Sequence, residues 1–260
     1  MIKILKLYLT WMLIYTPLSI HHSVKVGWSF NKILSSYFQG LFYIGEQYNS
    51  WHLWYLLSTI YSLIIIIFFI NKRVNLKVLI IMCLVFSIIS ISIDWLVALR
   101  MNMKALLLAQ KLISNTIYNG RIFKDMIYIP LGMYLAHRPL KPSMNLLLFS
   151  GAFISNFFIV GASIHSLLII ISSVGFFGLI ENIHLKDNGI YPMLRNMSII
   201  IYLIHMYVWS IYYKIIYNNK TFGLDSFLIT TITSMALAYL YLKIKNIVKK
   251  KINVLNYWYK

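Results

Sequence analysis

Residues 48–70 read YNSWHLWYLLSTIYSLIIIIFFI, and the reading of this stretch decides the fold. It opens polar, sets His52 between Trp51 and Trp54, and then runs apolar almost without a break to Ile70. About 20 mostly apolar residues in a helix cross the roughly 30 Å hydrocarbon core of a bilayer, where no water bonds free backbone groups. Residues 51–70 therefore predict a membrane-spanning helix. Trp and Tyr settle at the lipid–water boundary because their rings are amphipathic, so Trp51, Trp54 and Tyr55 mark one end of the span. His52 adds something the boundary does not call for, a group that gives or takes a proton near neutral pH.

The remainder of the chain is built in the same way. Of 260 residues, 60% are hydrophobic and 12% charged, and the mean hydropathy is +0.74, far outside the balance of a soluble domain. Apolar runs separated by charged or Gly-, Pro- and Asn-containing breaks predict about eight helices, at residues 4–20, 51–70, 76–96, 123–137, 144–161, 164–181, 198–217 and 226–243. The expected fold is an all-α integral membrane bundle, polytopic, with 1–260 as a single membrane-embedded domain. The fourth helix contains Pro130 and Gly132 and is expected to be kinked and covered by its neighbours. Residues 1–20 have the basic start and apolar run of a signal peptide without a small-x-small cleavage site, and read as a retained span. Cys83 is the single cysteine, which leaves no intramolecular disulfide and no cysteine metal cluster; no metal is expected.

Twenty-four basic and six acidic residues leave a net charge of +18. The basic residues gather between apolar runs, where they set orientation and meet anionic headgroups, and they form no continuous basic domain. The bilayer, not nucleic acid, is the expected partner. With eight spans, the side holding Lys3, Lys6, Lys72, Arg73, Lys77, Arg138, Lys141, Lys186, Arg195 and the lysines from Lys243 to Lys260 carries the larger share. Both termini are thus predicted cytoplasmic in a multi-pass protein of the cell membrane. Residues 97–124 run against the trend as a basic outer segment, within which residues 101–113 suit an interfacial helix with Lys104 and Lys111 on one face. Residues 243–260 form a basic amphipathic cytoplasmic tail, explained by anionic lipid.

Ionisable groups at membrane depth are expensive and face the bundle interior, so they are the natural candidates for chemistry. Seven histidines are present, most of them at segment ends. His205 differs, because apolar residues flank it well inside the seventh run; a hydrogen-bonded structural histidine and a functional one both fit. Asp94 suits neutralisation of a basic neighbour such as Arg100. Glycine-rich phosphate loops, His-Glu-x-x-His helices, Gly-x-Ser-x-Gly elbows and the His-x4-Asp motif of glycerolipid acyltransferases are absent from the sequence.

Three stretches taken together are similar to a known family. WHLWYL at 51–56 opening a span, NGRIFKDMIYIPLGMYLA at 119–136 and LRNMSIIIYLIH at 194–205 resemble, in order and spacing, the integral membrane acyltransferases called acyltransferase 3. With KILKLYLTW at 3–11 the resemblance covers nearly the whole chain. It implies a helical bundle that moves an acyl group, usually acetyl, from acetyl-CoA to a hydroxyl of a cell-surface sugar or envelope polymer. It implies further that Lys3 and Lys6, standing where the family has a basic pair, help to hold the CoA. A lysine meets a phosphate as a point charge, without the bidentate geometry of arginine. His52 and His205 are the candidate catalytic residues, with His52, Trp54 and the outer basic segment expected on the acceptor side. The family's first two spans, which carry its own histidine, have no counterpart in this chain, so an inactive remnant stays open as a reading, as does a transporter. Broken helices near Pro130 would suit the latter, whose duplicated halves are not seen.

Overall fold

The computed structural model describes residues 1–98, 126–159, 162–183, 186–214 and 223–258, which are helical throughout their ordered elements. Met1–Leu185 and Lys186–Lys260 form two compact units. Four helical stretches among the described residues are long and apolar enough to cross a bilayer: Trp51–Asn71, Ile164–Glu181, Ile190–Tyr212 and Leu224–Val248. Leu76–Ile89 is a shorter apolar stretch of the same kind.

In the first unit, α1 (Ile2–Lys25) turns Tyr8, Met12, Tyr15, Ser19 and Ser23 inward, a spacing of three or four residues that keeps them on one face. That face packs on α3 (Trp54–Asn71) and on the 3₁₀ turn Trp51–Leu53 that precedes it. Between them the chain forms α2 (Phe30–Gln39), which runs into a single π turn, Gly40–Ile44. Counting apolar runs assigns nothing to this region, because α2 is short and its apolar residues, Phe30, Ile33, Leu34, Tyr37 and Phe38, recur at three and four positions without making a contiguous run.

The π turn ends on Gly45 at φ 76°, a left-handed conformation open to glycine without a Cβ penalty. A Cβ there would also stand 2.6 Å from the Trp54 Cα, so α3 begins directly against this glycine. Tyrosine hydroxyls cover two carbonyls of the turn: Tyr8 donates to Leu41 O at 2.7 Å and Tyr61 donates to Phe42 O at 2.7 Å. A π turn shifts the backbone bonding by one residue and leaves carbonyls to be met from outside the helix. In an apolar setting they have to be met by protein.

α4 (Leu76–Ala98) buries Leu79, Cys83, Ser87 and Ile91 at intervals of four. Leu79, Cys83 and Ile91 pack with Ile66, Met126, Ile127 and Ile170 into the core cluster of this unit. α5 (Tyr128–His137) carries Pro130 in its first turn, where a helix leaves its N–H groups unpaired in any case, and Pro130 is buried as its apolar ring requires. Residues 99–125, which include the predicted basic outer segment, lie outside the described residues apart from its first two positions.

α6 (Pro142–Phe158) and α7 (Ala162–Glu181) form a tight helical hairpin. A Cβ on Gly175 would run into Phe149 N and would lie 2.6 Å from Asn145 O, and one on Gly178 would run into the Asn145 amide. Small residues at this spacing let two backbones approach, which is how helices associate where lipid removes the hydrophobic drive.

The second unit is an α8 (Ile190–Tyr212) and α9 (Leu224–Trp258) pair. α8 begins eight residues before the predicted start at 198. Pro192 and Arg195 interrupt the apolar pattern, yet Pro192 is the third helical residue and breaks no intrahelical bond. α9 presents Ser226, Thr230, Ser234 and Ala238, a buried small-residue stripe with a period of four. It continues without interruption through the basic tail, which contains neither glycine nor proline.

Candidate functional site

His52 occupies the middle of the 3₁₀ turn Trp51–Leu53. Ser50 anchors the turn: its Oγ accepts from Gln47 N at 2.7 Å, and its carbonyl accepts from Leu53 N at 2.9 Å. Successive residues of a 3₁₀ turn point about 120° apart, so neighbours in sequence separate in space. Trp51 is 51% exposed, whereas His52 is 4% exposed. The outward indole suits a lipid boundary, and the inward imidazole meets α1. The Tyr15 ring stands edge-on to it, with centroids 5.5 Å apart and planes at 69°, and the Trp51 ring lies at 6.4 Å and 87°.

A further histidine contact lies near the same end of α1, where His22 stacks on Tyr48 at 3.7 Å with planes 9° apart. Thr16, one residue beyond Tyr15, exchanges a hydrogen bond with the Tyr37 hydroxyl at 2.9 Å, and Gln47 Nε2 donates to Tyr37 O at 2.9 Å. Gln47 and Ser50 thereby tie the turn bearing His52 to α2 by polar contacts, Tyr37 ties α2 to α1, and the Tyr15 ring joins the turn to α1 directly. Sequence reasoning finds His52 and misses Tyr15, Tyr37 and Tyr8, whose role depends on a fold-back between residues more than twenty positions apart.

Lys3 and Lys6 lie one turn apart at the start of α1, and both are exposed. α1 therefore carries the two lysines at one end and the His52 contact nearer the other. Nine to twelve residues of helix separate Lys6 and Lys3 from Tyr15, a rise of about 14 to 18 Å.

His205 belongs to the other unit. Its Nδ1 lies 2.8 Å from Tyr202 O and 3.2 Å from Ile201 O. A carbonyl only accepts, so Nδ1 is the donor in these contacts. This is a bond to its own helix, which fits a structural histidine and a base equally well. His165 makes a comparable local clamp, with Nδ1 donating to Asn156 Oδ1 across the α6–α7 hairpin. The side chain of Asp94 lies outside the described residues. Among the described residues no group of three His, Cys, Asp or Glu side chains is placed to hold a metal.

No protein family, curated protein or solved structure is matched by this chain.

Proposed function

We propose that this protein is a polytopic membrane acyltransferase of about eight spans, with both termini cytoplasmic, that moves an acetyl group from acetyl-CoA to a hydroxyl of a cell-surface sugar or envelope polymer. The reading rests on the resemblance to the acyltransferase 3 family, and one observation supports it most directly. α1 carries Lys3 and Lys6 near its start and packs Tyr15 against buried His52 further along, so one rigid helix links a donor-phosphate end to an imidazole. In the reaction the acceptor oxygen attacks the thioester carbonyl, a C–O bond forms, the C–S bond breaks, and the hydroxyl proton passes through a base to the departing thiolate. His52 is the first candidate for that base and His205 the second.

A second reading is favoured by the 4% exposure of His52: the ring pins the turn to α1 and takes no proton. Membranes containing the protein, given labelled acetyl-CoA, separate the two. The acyltransferase reading expects label in an envelope polymer, lost in His52→Gln while the protein stays folded. The packing reading expects His52→Gln to unfold more readily and to keep its activity per folded molecule. Absence of transfer from the unsubstituted protein overturns the acyltransferase reading altogether.

A further inference from the structure

The α8–α9 pair contains a cleft of about 380 Å³ that belongs to none of the chemistry above. Pro192, Met193 and Asn196 line it from α8, and Tyr239, Leu242, Lys243 and Asn246 line it from α9. On α9 these positions repeat at three and four residues, so they form one continuous helical face. The lining is divided in character. Lys243 brings a full positive charge and three donors, Asn196 and Asn246 bring amide donors, and Tyr239 brings a hydroxyl; Pro192, Met193 and Leu242 supply an apolar wall. Lys243 is the one charged residue of the lining; of the acidic residues, Asp225 on α9 is eighteen residues before it, a rise of about 27 Å, and Asp187 is exposed in the segment before α8, five residues ahead of Pro192 and outside the lining. The cleft is cationic and rich in donors.

Its place along the two apolar helices bears on the ligand. The apolar stretches of the two helices are Ile190–Tyr212 and Leu224–Val248. The cleft is made from the first turns of one and the last turns of the other, at an end where the sequence continues into Lys249, Lys250 and Lys251. An apolar helix that spans hydrocarbon has its terminal turns among the headgroups. A cationic cleft between helices at that level fits the phosphate of an anionic lipid. We propose that Lys243, Asn196, Tyr239 and Asn246 bind the phosphate headgroup of an anionic phospholipid, with Pro192, Met193 and Leu242 against the start of its acyl chains. The site specifies the lipid locally and is distinct from diffuse attraction by the basic tail.

The full-length protein in detergent is titrated with phosphatidylglycerol, with phosphatidylcholine as the neutral lipid and glycerol 3-phosphate as the soluble phosphate ester, while thermal unfolding is followed. Phosphatidylglycerol is expected to raise the unfolding temperature at concentrations where the other two do not. Lys243→Gln is expected to weaken the response about tenfold in lipid concentration, as loss of one charge-assisted contact does. Asn196→Ala, which changes no charge and lies on the other helix, is expected to weaken it about threefold. Lys245→Gln, two residues on and therefore on the far side of α9, is expected to leave it unchanged. An equal loss in Lys243→Gln and Lys245→Gln with none in Asn196→Ala would mean diffuse attraction and would overturn the site. So would a response to glycerol 3-phosphate equal to that of the lipid.

Discussion

The ring of Tyr15 meets the ring of His52 edge-on, centroids 5.5 Å apart, although 37 positions separate them in the chain. Both side chains are almost wholly buried, Tyr15 at 0% and His52 at 4% exposure. Tyr15→Ala removes the larger partner and opens a cavity, and a loss of about 3–5 kcal/mol is expected. Tyr15→Leu keeps much of the volume and gives up the ring contact, for a loss nearer 0.5–1.5 kcal/mol. Unfolding of the purified protein in detergent orders the two; no loss in Tyr15→Leu would show that the ring geometry contributes nothing, and an equal loss for both would show that the filled volume adds nothing to it.

Tyr8 and Tyr61 hold adjacent carbonyls of the π turn, those of Leu41 and Phe42. Tyr8→Phe leaves the shape and removes the donor, so the part-buried Leu41 carbonyl loses its short bond at an expected cost of about 1–3 kcal/mol. Tyr61→Phe should cost less, since its bond is exposed and water or a headgroup replaces it. Thermal unfolding of both single variants and of the double variant tests this ranking, and a larger effect for Tyr61→Phe would reverse the account.

Much of this architecture is legible in the chain. Runs such as 51–70 and 164–181 announce themselves because a helix in hydrocarbon has to be apolar along its whole length, and each emerges as a helix. What escapes is of two physical kinds. Pro192 looks like a break before the seventh run, because a pattern reading does not know that a first-turn proline costs no bond. α2 escapes because ten residues with Phe30, Leu34 and Phe38 spaced by four make no run. The candidate histidines can be named from their surroundings in sequence. Their contacts cannot, since Tyr15 with His52 and Tyr8 with Leu41 exist only once α1 packs against the π turn, the 3₁₀ turn and α3.

The α6–α7 hairpin depends on glycines whose replacement has different costs. Gly175→Ala drives a Cβ into Phe149 N and to 2.6 Å from Asn145 O. These are backbone atoms, so the helices have to separate, and a loss of about 3 kcal/mol or more is expected. Gly178→Ala meets the Asn145 side chain instead; Asn145→Ala removes that obstacle and should recover part of the loss in the double variant. Gly132→Ala meets nothing within 4 Å in α5 and should be neutral or stabilising by up to about 1 kcal/mol, from helix propensity alone. Chemical unfolding of the four proteins gives the order, and a Gly132→Ala variant weaker than Gly175→Ala would refute it.

α2 leaves Phe30 at 75%, Leu34 at 45% and Phe38 at 50% exposure, while Tyr37, on the side facing α1, bonds Thr16 and Gln47. Exposed apolar residues at intervals of four, with Asn31, Lys32 and Ser35 between them, are the pattern of a helix lying in the membrane interface. Lys32 stands 4.5 Å over the Trp28 ring, at the end of the segment where a headgroup-level cation and an indole both belong. Single cysteines placed along α2 in a Cys83→Ser background, spin-labelled and reconstituted, should alternate in access. Labels at Phe30, Leu34 and Phe38 are expected to collide mainly with oxygen dissolved in the lipid, and labels at Asn31 and Ser35 mainly with a water-soluble nickel complex. The collision profile should repeat with the helical period of 3.6 residues. A flat profile, with every label equally open to the nickel complex, would mean that α2 stands clear of the bilayer and that another surface covers its phenylalanines.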